Sequence, residues 1–319
     1  MKNELNSRLI MLIRQTLSDK INVAAYLMDL LSLGREAVYR RIRGDVSFDL
    51  EELALISKDL NISIDEVLGI NDAKSLFSID MIHPESYLNQ YCDFLSYYID
   101  IFEKMSAYPD SEVIAANNQL PFTYYLSHEK LSKFYLYKWM YQTQTSKLNV
   151  PFSEFVLPQK VIDLNKQYAA ASNFACHTTS ILSHDIFNSF FNTVSFFRRL
   201  GLLTQEDVDQ IKEEILSLLD HLEARSISGV WHNTYEFNLY ISMIDFDTSY
   251  TYMRCPEFEL SMIRAFSINV VRSSMPAICS AHKKWIESLK RYSTQISKSG
   301  DIYRTEFFNR QRQLAKEIL

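Results

Sequence analysis

The segment REAVYRRIR, residues 35–43, carries Arg35, Arg40, Arg41 and Arg43 against a single acid, Glu36, a local balance of +3. A guanidinium is a rigid planar fork. It meets a phosphate, or the O6/N7 edge of a guanine, through two parallel hydrogen bonds. Residues 1 to 72 as a whole hold nine Lys/Arg against twelve Asp/Glu. Positive charge is therefore gathered on one short stretch of an acidic region. That pattern suits contact through one face and not a non-specific coat on nucleic acid. A solvated arginine face is the plain alternative.

The surrounding sequence supplies helices to position that stretch. Residues 4–18 place Leu5, Leu9, Leu12, Ile13 and Leu17 on one helical stripe. Asp19 caps a second helix over 21–31, with Val23, Leu27, Leu30 and Leu31 apolar. Ser32-Leu33-Gly34 breaks it, and Gly34 is expected to relax the backbone at the tight turn. The arginine helix then ends at Gly44, a residue suited to a left-handed C-terminal cap. Asp49 opens a fourth helix with Leu50, Leu53, Ile56 and Leu60 inward. After the turn Asn61-Ile62-Ser63, the pair Ser63/Glu66 has capping-box spacing before a last helical turn that stops at Gly69.

Leu33, Gly34, Arg35, Val38, Arg40, Arg43, Gly44, Leu50, Leu53, Ile56, Leu60, Ile62, Ser63, Asp65, Glu66, Val67 and Leu68 follow one another without a gap. In that order they resemble the lambda-repressor-like, or Xre-type, helix-turn-helix transcriptional regulators of bacteria. Phe48 stands where the pattern usually has proline, and Arg41 where it usually has an apolar residue. The resemblance covers about a fifth of the chain and implies a five-helix DNA-binding domain over residues 1–70. It implies a third helix lying in the major groove of double-stranded DNA. Arg35, Glu36, Tyr39 and Arg40 would face bases, and Arg41 and Arg43 would lie nearer phosphates. It also implies a homodimer, because such domains read paired half-sites.

The rest of the chain reads as a polar linker over 71–85 and a C-terminal region over 86–319. LFSIDMI within the linker suits a short strand or an extended hinge. Helices are expected over 86–225, with a loop at 107–123. The stretch 128–145 is so rich in aromatics that Phe134, Tyr137, Trp139, Met140 and Tyr141 exceed one core stripe. Such a helix is buried on several sides, lines a pocket or forms a dimer seam. Thr204 and Asp207 have the spacing of a capping-box variant. Residues 235–271 then alternate. Phe237, Leu239, Ile241 and Met243, next Tyr250 and Tyr252, then Leu260, Met262, Phe266, Ile268 and Val270 suggest a small three-stranded antiparallel meander. The stretch from Phe258 to Val270 also fits a helix. Helices over 274–318 close the chain. The fold class expected is mainly α with a smaller α+β part.

The chain has 319 residues, 47% hydrophobic and 23% charged, with a net charge of −6. Six Gly and seven Pro disfavour an all-β chain, and 20 Phe with 19 Tyr allow large cores or ligand-facing surfaces. Four scattered cysteines and the lack of an apolar leader or spanning run point to a cytoplasmic protein that does not enter membranes. No glycine-rich phosphate loop, HExxH or GxSxG motif occurs. No catalytic residue, cofactor or metal is therefore expected. Cys176, His177 and His184 have ligand spacing only if they share a helix, and a further ligand is lacking. His232 beside Trp231 suits a pocket wall. Residues 203–223 hold seven acids, and residues 283–317 hold nine bases against four acids. These segments suit a contact within or between subunits, or basic contact with DNA. The composite reading is a transcriptional regulator whose C-terminal region senses a small-molecule effector or mediates dimerisation. The alternative is a helix-turn-helix scaffold for protein contact without DNA readout.

Overall fold

A computed structural model describes residues 2–17, 22–60, 62–68, 77–143, 150–174, 177–231 and 235–319. The chain divides into two compact units, residues 1–76 and 77–319. The protein is mostly helical and carries one mixed sheet.

The first unit consists of α1 (Lys2–Thr16), α2 (Val23–Leu31), α3 (Arg35–Arg43), α4 (Leu50–Leu60) and α5 (Ile64–Leu68). Leu9, Ile13, Leu27, Val38, Ile56 and Val67 form its core. The apolar period of 3.6 puts these side chains on inward stripes. Leu50 departs from the expected inward position and is 83% exposed. It lies roughly 120° around the helix from the buried Ile56, at ~100° per residue. The turn between α2 and α3 also differs from expectation. Its left-handed residue is Ser32, with φ of 52°, whereas Gly34 is extended at φ −67° and caps α3. Gly44 does take the left-handed form, at φ 81°. Ile21, Asp19, Asn61, Gly69 and the side chain of Glu66 lie outside the described residues, so the caps assigned to Asp19 and Glu66 do too.

The second unit begins within the stretch expected to be linker. Strand β1 (Ser78–Asp80) pairs with β8 (Asn269–Ser273), which makes residues 78–80 part of the sheet. The other strands are β2 (Glu112–Asn117), β3 (His177–Ser183), β4 (Val230–Trp231), β5 (Tyr235–Ser242), β6 (Tyr250–Cys255), β7 (Phe258–Ala265) and β9 (Ser293–Gln295). The sheet order is β1-β8-β7-β6-β2-β3-β5-β4, with β9 also on β5. Pairs β2–β3 and β3–β5 are parallel, and the rest are antiparallel.

The small antiparallel meander is thus corrected. Strands β6, β7 and β8 do form one, but β5 is separated from β6 by β2 and β3. The stretch 258–270 is neither one strand nor a helix, because Phe266 and Ser267 turn the chain at φ 46° and 74°. The loop expected at 107–123 contains β2, and the helical reading of 86–225 contains β3. Parallel strands need crossovers, and helices supply them here as they do in other parallel sheets.

The helices are α6 (Tyr87–Ser106), α7 (Phe122–Tyr125), α8 (Glu129–Thr143), α9 (Gln159–Ala171), α10 (Ile186–Arg199), α11 (Gln205–Ser228), α12 (Pro276–Leu289) and α13 (Asp301–Ile318). One sheet face carries Val113, Phe237, Leu239 and Met253 into a large core with Phe102, Trp139, Phe187, Leu222 and Phe308. On the opposite face Ile114, Ile181 and Tyr252 pack against Cys279 and Ile286 of α12. In α8, Phe134, Tyr137, Trp139 and Met140 are buried in this chain's own core, and Tyr141 is 37% exposed. Thr204 and Asp207 form a reciprocal capping box at the start of α11. The acidic α11 and basic α13 meet within the chain, where Arg312 pairs with Asp220 and Glu223. Among the described residues no helix is long and apolar enough to cross a membrane.

Candidate functional site

Helix α3 is held from two sides. Val38 is fully buried beneath it. The Asn6 side-chain amide of α1 donates to the Arg41 carbonyl at 2.6 Å and accepts from the Phe48 amide at 3.3 Å. These bonds satisfy a carbonyl at the helix end and fix the chain that leaves it. Arg41 points into the domain. Its Nε and Nη2 donate to the two carboxylate oxygens of Glu52 at 2.8 and 2.6 Å. Glu52 in turn accepts from the Asp49 amide at 3.1 Å, and Asp49 accepts from the Glu52 amide at 2.8 Å. One carboxylate therefore caps α4 and clamps α3. Arg41, expected near phosphates, is corrected to an internal tie, and its departure from the usual apolar residue has a partner in Glu52.

Arg35, Glu36, Arg40 and Arg43 are exposed, and Tyr39 is half-buried. Residues 36, 39/40 and 43 recur at helical spacing, so they share one stripe. The Arg35 guanidinium lies 5.6 Å from the Tyr39 ring centroid, which limits its rotamers. Arg43 Nε meets Asp45 Oδ2 at 3.0 Å, but both side chains are half or more exposed. A pair that open to water is worth little, so a phosphate can displace Asp45.

The second unit contains a cavity of about 110 Å³ between the sheet and the helices above it. Its floor exists because three small side chains meet in register. Ala115 of β2 pairs with Ser180 of β3 on one side and Thr251 of β6 on the other. Larger residues in those places would fill the space, as Leu239 and Met253 do beside it. The roof is Phe94, Tyr98 and Phe102 of α6, with Tyr168 of α9. Two guanidiniums face this space. Arg225 of α11 lies 4.6 Å from the Phe237 ring centroid, and Arg264 of β7 lies 4.3 Å from that of Phe122. Arg264 also donates to the Leu120 carbonyl at 3.2 Å. Loss of water draws the Arg225 group down to about 10, which still leaves it charged at neutral pH. Asn117 is 4% exposed, and its Nδ2 has no hydrogen-bond partner.

An outer cleft of about 360 Å³ shares Thr123, Tyr124, Asn173 and Arg225 with this cavity. It adds Lys166, His128 and His221. Burial, then the neighbouring His221, pulls His128 down to about 4. Among the described lining residues of both spaces there is no Asp or Glu.

Ala115, Asn117, Ser180, Arg225 and Thr251 belong to no motif in the sequence. One signal is present. Arg264 sits at the inward parity between Met262 and Phe266, where a charge needs an explanation. The histidines with apparent ligand spacing do not assemble. His177 opens β3 and His184 follows its end, so the residues are roughly 23 Å apart at ~3.3 Å per residue and cannot share a metal. His177 instead pairs with Glu236 at 3.1 Å. Cys176 and His232 lie outside the described residues. Among the described residues no group of three or more His, Cys, Asp or Glu is placed to hold a metal ion. Comparison with protein families, with characterised proteins and with solved structures finds no match to this chain.

Proposed function

We propose that the chain is a sequence-specific DNA-binding transcriptional regulator of the helix-turn-helix kind, acting as a homodimer. The observation that carries this reading is the surface of α3. Arg35, Arg40 and Arg43 stand outward from a nine-residue helix together with Glu36 and Tyr39, while Val38 and Arg41 anchor its other side. The length of α3, its left-handed stop at Gly44 and a short turn before it suit insertion into the major groove. The net acidity of the first 72 residues keeps backbone affinity modest, so two copies of α3 on paired half-sites are needed for tight binding. The second unit supplies the effector site; in α8, Phe134, Tyr137, Trp139 and Met140 are internal, whereas Tyr141 is 37% exposed.

The test is titration of the full chain against the DNA upstream of its own gene. Arg40→Ala with Arg43→Ala should weaken specific binding by ~1–3 kcal/mol for each of the two arginines that reaches a base. The Arg43 part should also flatten the salt dependence by about one counterion per phosphate bound. Unchanged specific affinity in the double variant would refute the assignment of α3. No DNA binding by the parent at any salt concentration would favour the protein-contact alternative.

A further inference from the structure

The cavity in the second unit is lined by two guanidiniums and, among the described residues, no carboxylate, inside a protein whose total charge is −6. Two guanidiniums lining one space make it electropositive and favour an anion there. The cavity walls divide by chemistry. Phe94, Tyr98 and Phe102 give an apolar roof. Ser180 and Thr251 give hydroxyls, and Asn117 brings an amide donor that is buried and unpartnered. A native protein rarely leaves such a donor unmade, and one at a cavity wall is usually satisfied by what fills the cavity. At about 110 Å³ the inner space is of the order of the ~150 Å³ cavity that takes benzene, so the part of a ligand seated in it is compact.

We propose that this cavity binds a small organic acid, a carboxylate on a compact apolar body. Arg225, Arg264 and the Asn117 amide receive the carboxylate, and the apolar body lies over Ala115 beneath the α6 aromatics. The stacks of Arg225 on Phe237 and of Arg264 on Phe122 hold both guanidinium planes in place before the ligand arrives. The outer cleft is the way in. Lys166 and Arg225 line it without an acid among its described residues, which raises the local concentration of anions. The ligand's use as an effector rests on the regulatory reading above, whereas its binding does not.

The test uses the full chain without DNA and three probes: sodium benzoate, benzyl alcohol as its uncharged analogue, and inorganic phosphate as a bare anion. Benzoate should raise the thermal midpoint and bind in calorimetry at least tenfold more tightly than either of the others. Arg225→Met should lower benzoate affinity roughly ten- to a hundredfold. Because Arg225→Met removes a stack, Asn117→Leu is the second variant. It should lower benzoate affinity while the unliganded midpoint holds or rises. Equal binding of benzoate and benzyl alcohol, tighter binding of phosphate, benzoate binding unchanged in Asn117→Leu, or no benzoate binding at all would each overturn the proposal. Failure here leaves the α3 reading intact, and loss of DNA binding leaves this one intact.

Discussion

Arg41 and Glu52 form a two-point ion pair in which each side chain is nearly out of water, at 16% and 12% exposure. It joins α3 to the cap of α4. Breaking it strands a charge and uncaps a helix together. Glu52→Ala should lower the stability of the first unit by ~2–4 kcal/mol, since a pair that keeps some contact with water costs less than a fully buried one and the cap adds to it. A double-mutant cycle with Arg41→Ala, read by denaturant unfolding, should give a coupling energy of ~1–3 kcal/mol. Additive losses would mean that the two residues act separately.

Ser32 holds a left-handed φ of 52° at the α2–α3 turn. A residue with Cβ pays ~1–2 kcal/mol there, which glycine avoids. Ser32→Gly should therefore stabilise the first unit by up to about 1 kcal/mol. At Gly34 the outcome is reversed. A Cβ there meets nothing within 4 Å, and φ is −67°. Gly34→Ala should cost about 1 kcal/mol, because alanine is a poorer N-cap than glycine. Thermal unfolding of both variants checks the pair, and a loss of stability in Ser32→Gly would overturn the assignment of Ser32 as the strained residue.

His128 gives the second unit a pH response. Its folded value of about 4 lies below the ordinary 6.5, because burial and His221 disfavour the cation. Above pH 6.5 the ring is neutral folded or unfolded. Between 6.5 and about 4 the unfolded chain takes a proton that the folded chain refuses, so stability falls across that window. The loss is at most about 3 kcal/mol, and less where solvent reaches the ring. His128→Gln should flatten that part of the stability profile relative to the parent. Identical slopes for the two proteins across that window would contradict the account.

Ala115 leaves room at the centre of the sheet, between Ser180 and Thr251. Ala115→Leu should fill part of the cavity from its floor. Added apolar packing offsets crowding, so the thermal midpoint should move by no more than about 1 kcal/mol equivalent. Benzoate should no longer shift that midpoint. A variant that still responds like the parent would place the ligand elsewhere.

Local sequence determined the parts of this protein whose causes lie within a few residues along the chain. The stripe of Leu9 and Ile13, Gly44 at the end of α3, and the box of Thr204 and Asp207 all follow from helical spacing and from groups left open at helix ends. The arginines of α3 were legible as charge, but the direction of Arg41 was not, since Glu52 lies eleven residues away on another helix. Tertiary structure alone decided the centre of the sheet, β2 and β3 between β5 and β6. Strands β2 and β3 are short, and Ala115, Thr178 and Ser180 interrupt any apolar alternation. Their parallel pairing joins residues more than sixty positions apart. The cavity depends on that register. A small side chain on one strand is a minor feature, but three aligned across neighbouring strands, beside Arg225 and Arg264, make an electropositive space. Strand register is set by long-range contacts, which local periodicity does not encode.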